Sequence, residues 1–214
     1  MNGLSKLVKE INLNEVDVTK GTDFYKQVLS NPEYKIQKIA EWDTLPDKKF
    51  SGYTKPKLTL TPEGSKVVDD FTKTVVYFFV VEETCLYIGQ SSTSFKKRMA
   101  AYASAGRTRL DDKEFMSSGG NKGGSTNKKI NKNVTSFKLN NQNDTIKIYA
   151  AYYAIPDSIQ LLPNNGTGIL SGEFDIAVPP TKVEKYYLEL YSSIEGGIPQ
   201  WQSNIDGSIY NPTS

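Results

Sequence analysis

The run VVYFFVV at Val75–Val81 leaves few folds open to this chain. Consecutive β-branched and aromatic residues with no polar face read as a strand buried on both sides. The acidic pair Glu82-Glu83 interrupts the run, and CLYIG follows as a short second strand, Cys85–Ile88, that stops at Gly89. Two such strands across a charged turn make a hairpin. A third strand, IKIYAAYYA, is expected at Ile146–Ala154.

Helical punctuation surrounds these strands. Ser92, Thr93 and Ser94 offer N-caps for FKKRMAAYASA, in which Phe95, Met99, Tyr102 and Ala103 recur at helical spacing. Pro179-Pro180 break the chain before a second helix, KVEKYYLELYSSI, which Gly196-Gly197 stop. Ser117–Asn133 (SSGGNKGGSTNKKINKN) is rich in Gly, Ser, Asn and Lys, and its first part is expected to be a mobile loop. The first seventy residues mix charge with turn signals such as Asn31-Pro32 and Pro62-Glu63-Gly64, so they read as short helices and loops. The expected fold is α+β: a small central, mainly antiparallel sheet flanked by helices. Residues 71–214 form its main domain, with a basic insertion at 107–133, and residues 1–70 form an N-terminal helical and loop arm.

What the composition lacks is equally informative. The 214 residues contain no histidine, which excludes Ser-His-Asp and Cys-His catalysis and histidine-ligated metal centres. The single cysteine, Cys85, forms no intrachain disulfide, fits a reducing compartment and rules out cysteine-built zinc sites. Carboxylate, tyrosine, lysine or arginine must carry any chemistry. The apolar run is far too short to cross a bilayer, and MNGLSKLVKEINLNEV has no uninterrupted signal-peptide core, so a cytoplasmic protein without a membrane partner is expected. Net charge is +2 but unevenly spread: residues 71–150 carry 13 basic against 6 acidic side chains, and 151–214 carry 2 against 7. Such a segment suits a polyanion, or is a solvated basic face.

Helical arithmetic then selects individual groups. In the late helix Val183, Tyr187, Leu190, Tyr191 and Ile194 share one stripe, with Glu184 at its edge and Glu189 almost opposite. Glu184 is therefore the candidate semi-buried carboxylate. In the earlier helix Arg98 and Tyr102 lie four apart on one side, with Lys97 facing solvent. One cation and one phenol can look into a single cleft, although boundary charges are most often plain surface groups.

In this order, VVYFFVV, CLYIG, an arginine nine positions after Gly89, a helical glutamate and an asparagine after Pro199 resemble the GIY-YIG nuclease superfamily, from about Thr74 to Ile205. The long preceding stretch, the basic insertion, the Arg98-x-x-x-Tyr102 spacing and the carboxylate helix opening with Lys182 look most similar to its type II restriction endonucleases. Carried over residue by residue, the family's active-site groups fall on Tyr77, Tyr87, Arg98, Glu184 and Asn204, with Tyr102 beside them. Two departures stand out: Val75-Val76 precede Tyr77 where the family has Gly-Ile, and Gln90 follows Gly89 where a histidine or lysine is usual.

The resemblance implies a sequence-specific endonuclease for double-stranded DNA, a hydrolase of a restriction-modification system that works as a homodimer. Its cofactor would be Mg2+, which Mn2+ can replace, held by Glu184. Arg98 would hold the scissile phosphate, Tyr77 would orient or deprotonate the water with Tyr87 or Tyr102 in support, and Asn204 would position them by hydrogen bonds. Gln90, Lys96, Lys97, Lys122, Lys128, Lys129 and Lys132 are the candidates for DNA contact, and residues 1–70 become a DNA-binding or dimerisation extension. Three rivals remain. One is a PD-(D/E)xK nuclease built on Asp23, Glu33 and Lys35. The others are a phage or mobile-element homing or repair nuclease and a non-cleaving DNA-binding protein.

Overall fold

The structure, a computed structural model, describes residues 20–67, 75–91, 94–118, 124–151 and 180–202. The described residues open with α1 (Thr22–Phe24), a π-helical segment (Tyr25–Leu29) and a 3-10 turn (Pro32–Tyr34). Then come β1 (Ile36–Pro46), β2 (Tyr53–Leu60), α2 (Pro62–Val67), β3 (Val75–Val81), β4 (Thr84–Ser91) and α3 (Phe95–Ser104). The remaining elements are β5 (Gly106–Arg109), β6 (Phe115–Ser117), α4 (Ser125–Asn140), β7 (Ile146–Ala151) and α5 (Pro180–Glu195).

The apolar run behaves as its composition demands. Every residue of β3 is buried, because the strand lies inside an antiparallel sheet of seven strands ordered β4-β3-β7-β1-β2-β5-β6. Val75, Tyr77, Phe79 and Val81 face a layer formed by α3, α4 and Trp201. Val76, Phe78 and Val80 face the opposite layer, in which Phe24 and Val28 join Tyr187, Leu188 and Tyr191 of α5. A strand covered on both faces needs no polar alternation.

The hairpin turns at Glu82, which takes the left-handed conformation with φ 51°. A bulge interrupts the β3–β4 register: Phe79 opposes Tyr87 but Val80 opposes Cys85, leaving Leu86 as the extra residue. Leu86 and Tyr87 therefore both join the α3 layer, while Cys85 and Ile88 join the α5 layer.

Two regions depart from the sequence expectation. The segment read as short helices and loops contributes β1 and β2, paired from Ala40↔Leu60 to Pro46↔Thr54, and β1 also pairs with β7 near the middle of the sheet. Only Ile39, Ala40 and Trp42 of β1 are buried, and β2 carries Pro56 among its charges, so neither strand shows a strong apolar period. The second departure is α4, which takes up the last third of the stretch read as a basic insertion and runs on beyond it. Ile130, Val134 and Phe137 fill the core at helical spacing, and the buried Asn131 and Thr135 between them make hydrogen bonds.

Asn131 shows why so polar a helix is tolerated inside. Its Nδ2 donates to the carbonyls of Tyr102 at 2.7 Å, Ala103 at 3.2 Å and Gly106 at 3.2 Å. Tyr102 and Ala103 lie in the last turn of α3 and Gly106 opens β5, so one amide ties the helix end to the strand that follows. Thr135 and Thr108 share a hydrogen bond of 2.6 Å between their hydroxyls. Lys138 donates to the carbonyls of Gln142 at 3.0 Å and Asp144 at 2.7 Å. No helix among the described residues is long and apolar enough to cross a membrane.

Candidate active site

β4 is a terminal strand of the sheet, and other parts of the chain satisfy its outer backbone groups. Cys85 N donates to Gly21 O at 3.2 Å, and Trp201 N donates to Leu86 O at 2.8 Å. Ile88 N donates to Gln202 Oε1 at 3.2 Å. A strand edge with such partners is no longer open to pairing. Beside this edge the two helical layers approach each other, and a cavity of about 80 Å³ opens between them. Its walls are Tyr87, Gln90, Arg98, Thr126, Lys129, Glu184 and Gln202.

Arg98 and Glu184 thus arrive from opposite faces of the sheet and meet around β4. α3 starts at Ser94, whose hydroxyl accepts from Lys97 N at 3.4 Å. One turn later the Arg98 guanidinium lies 4.9 Å from the centre of the Tyr102 ring, and its Nε donates to Tyr77 OH at 3.5 Å. Burial alone would lower its pKa, but the phenolic oxygens of Tyr102 and Tyr77 outweigh it and hold the cation above its ordinary value. On α5, Glu184 is 8% exposed, and burial pushes its carboxyl up to about 7 against the pull of Arg98. A carboxyl so placed is desolvated, and burial favours its neutral form.

The third titratable wall residue comes from α4. Lys129 is 8% exposed, its Nζ donates to Gln202 O at 3.3 Å, and burial lowers its pKa. Gln90 Oε1 is buried and has no hydrogen-bond partner among the described residues. Among those residues no group of three or more acidic or cysteine side chains could hold a metal ion. Among the described residues of the wall, Glu184 is the one carboxylate available to a cation.

Behind the wall stands a cluster of phenols. Tyr77 OH and Tyr102 OH lie 2.7 Å apart, Tyr87 OH and Tyr102 OH lie 3.4 Å apart, and Tyr77 OH donates to Gln90 O at 3.3 Å. Gly89 makes this packing possible, because a Cβ there would stand 2.6 Å from Cε1 of Tyr87 and 2.8 Å from Cε2 of Tyr77. Tyr77 stands behind the cavity wall. Its side chain is fully enclosed and absent from the cavity wall, and burial, with Tyr102 adding to it, raises its pKa well above the ordinary phenol value. Tyr87 is the phenol that reaches the cavity, and its pKa is also raised by burial.

Of the other expected groups, Lys96, Lys97 and Lys132 are exposed and Lys128 is half-buried. Lys122 and Asn204 lie outside the described residues, as do residues 152–154 of the expected third strand. The sequence reading missed Thr126 and Gln202 in the wall. The signal for Gln202 is the neighbouring Trp201, which is buried edge-on against Phe137 with ring centres 6.3 Å apart and so fixes the amide beside it. Asp23, Glu33 and Lys35, the alternative acidic set, are all exposed at the start of the described chain and line no part of this cavity.

A scan against protein-family models finds no match to the sequence, and a search of curated proteins finds none either. One solved structure, "Restriction endonuclease HPY188I in complex with product DNA", aligns with 84% of this chain and 89% of its own at 19% identity and a TM-score of 0.35. A likeness that distant assigns neither fold nor activity to this chain.

Proposed function

We propose that this chain is a magnesium-dependent DNA endonuclease of the GIY-YIG kind, most similar to type II restriction endonucleases. The observation that carries the reading is the convergence of Tyr87, Arg98 and Glu184, from one strand and two helices on opposite faces of the sheet, on a single cavity. The excess of 13 basic over 6 acidic side chains across residues 71–150 supports a polyanionic substrate.

Hydrolysis joins a water oxygen to phosphorus, breaks the bond to the 3′ oxygen, and moves the water's proton towards the departing alkoxide. The protein must hold the phosphate, offset the added charge and place the water. Arg98 presents a fixed fork of donors, kept cationic and braced by Tyr77 and Tyr102, to the phosphate oxygens. Tyr87 places the water by hydrogen bonding, since burial disfavours its phenolate.

The cavity suits a hard divalent ion: Glu184 is a buried, desolvated carboxyl group, and Gln90 Oε1 is an oxygen acceptor without a partner among the described residues. Glu184 would hold magnesium, which when bound supplies Lewis-acid stabilisation of the leaving oxygen. Recognition of a specific sequence and action as a homodimer on two antiparallel strands complete the proposal.

The test is to incubate the whole chain with long duplex DNA and Mg2+ and to read the fragment ends. Discrete fragments are expected, and Glu184→Gln should slow cleavage at least about a thousandfold, or ~4 kcal/mol, while duplex binding persists. Tight binding with no nicking in either Mg2+ or Mn2+ would show a DNA-binding protein that does not cleave.

A further inference from the structure

We infer that Lys129 is a catalytic residue of this site, a second phosphate-binding cation that works with Arg98. The inference rests on the nuclease reading and adds a group from a helix outside the strand, arginine and glutamate pattern.

α4 carries two almost fully buried lysines, and their surroundings differ. Lys138 is structural: its ammonium donates to the carbonyls of Gln142 and Asp144 and lies 3.7 Å from Asp43, tying the end of the helix to the loop that follows. Lys129 sits about two and a half turns earlier and lines the cavity that also contains Arg98 and Glu184. Its bond to Gln202 O links it to the segment that covers the edge of β4. Lys129 and Arg98 line the same polar cavity, so an anion that enters it meets both cations.

Charge supports the same assignment. The hairpin itself places no cation in the cavity, because the residue after Gly89 is the neutral Gln90; among the described residues the cations in the wall are Arg98 of α3 and Lys129 of α4. A phosphodiester carries one negative charge, and a five-coordinate transition state carries about one more. A second ammonium therefore stabilises the transition state more than the ground state, which is the condition for raising a rate. Thr126, one turn before Lys129 and also in the wall, adds a hydroxyl donor on the same side of α4.

The test compares Lys129→Met, Lys129→Arg and Lys138→Met by single-turnover cleavage of a labelled duplex in Mg2+, by duplex binding without divalent ions, and by thermal melting. For Lys129→Met we expect a rate about a hundredfold lower, binding within about threefold of wild type, and melting at or above the wild-type temperature. Lys129→Arg should recover part of the rate, and Lys138→Met should melt lower yet cut at the wild-type rate when folded. Wild-type cleavage by Lys129→Met, or a loss of rate that only follows its loss of folded protein, would overturn the assignment of Lys129 alone. A wild-type chain that cuts no duplex would overturn the nuclease reading and this inference with it.

Discussion

The two faces of the β3–β4 hairpin are built from similar aromatic side chains and differ in what closes them. On the α5 side Phe78 packs against Tyr187, with ring centres 5.0 Å apart, and against Phe24 at 6.2 Å. The helix lies along that face, and at its far end Glu195 Oε1 accepts from Phe24 N at 2.7 Å. On the α3 side Tyr77, Tyr87 and Tyr102 pack ring to ring at similar distances, but their hydroxyls bond one another and Arg98 and lead to the cavity. An aromatic face becomes a candidate for chemistry where its polar tips reach a shared opening, and remains plain core where a helix seals it.

The largest effect that tests this contrast belongs to the sealed face. Phe78→Ala should lower stability by about 3–5 kcal/mol, because it empties a fully enclosed ring site between the sheet and α5. Chemical denaturation measures the loss. The cleavage rate per folded molecule should stay unchanged, and a rate that falls with Phe78 would show that the two faces are not separate.

Glu184 provides the next effect, as a pH dependence. Its folded pKa is raised from 4.5 to about 7, so folding favours its protonated form. The stability tied to that preference is fully present below the unfolded value and is lost as pH rises through about 7. Without divalent ions, Glu184→Gln should therefore match wild type near pH 4 and exceed it by about 3 kcal/mol near pH 9. Urea melts across this range decide the matter, and a constant difference between the two proteins would show that the carboxylate is not desolvated.

A smaller change separates ring from hydroxyl on the open face. Tyr102→Phe keeps the ring beside Arg98 but removes the oxygen shared with Tyr77 and Tyr87. Tyr77 retains its bond to Gln90 O, so the expected loss is about 1 kcal/mol of stability. Cleavage should fall about tenfold as Tyr77, which accepts from Arg98, loses one of its own hydrogen bonds. Unchanged cleavage would mean that the phenol cluster only packs.

How far the sequence reveals this arrangement depends on the range of the contacts involved. β3, β4, α3 and α5 are legible because their apolar periods are strong, and the helical arithmetic places Glu184 inside and Arg98 beside Tyr102. β1 and β2 are not, since three buried residues in one and Pro56 in the other leave no clear alternation. α4 is hidden for a different reason: Asn131, Thr135 and Lys138 are buried by bonds to distant or neighbouring groups that no period records. Thr126 and Gln202 reach the cavity by tertiary packing alone, and the enclosure of Tyr77 depends on how α3 covers the sheet.

Glu189→Gln is the smallest expected change and the one that checks the register of α5. Five residues at about 100° each set Glu189 roughly 140° around the helix from Glu184. The structure agrees, since the Glu189 side chain is 67% exposed and lies 3.8 Å from Lys185 one turn back. An exposed pair of this spacing contributes little, with lysine preceding glutamate the weaker order. Stability should change by only a few tenths of a kcal/mol, and cleavage should equal wild type. An inactive Glu189→Gln beside an active Glu184→Gln would place the functional carboxylate on the other side of the helix. The cavity at the edge of β4 would then be a packing feature, because no rotation of α5 can direct both residues into it.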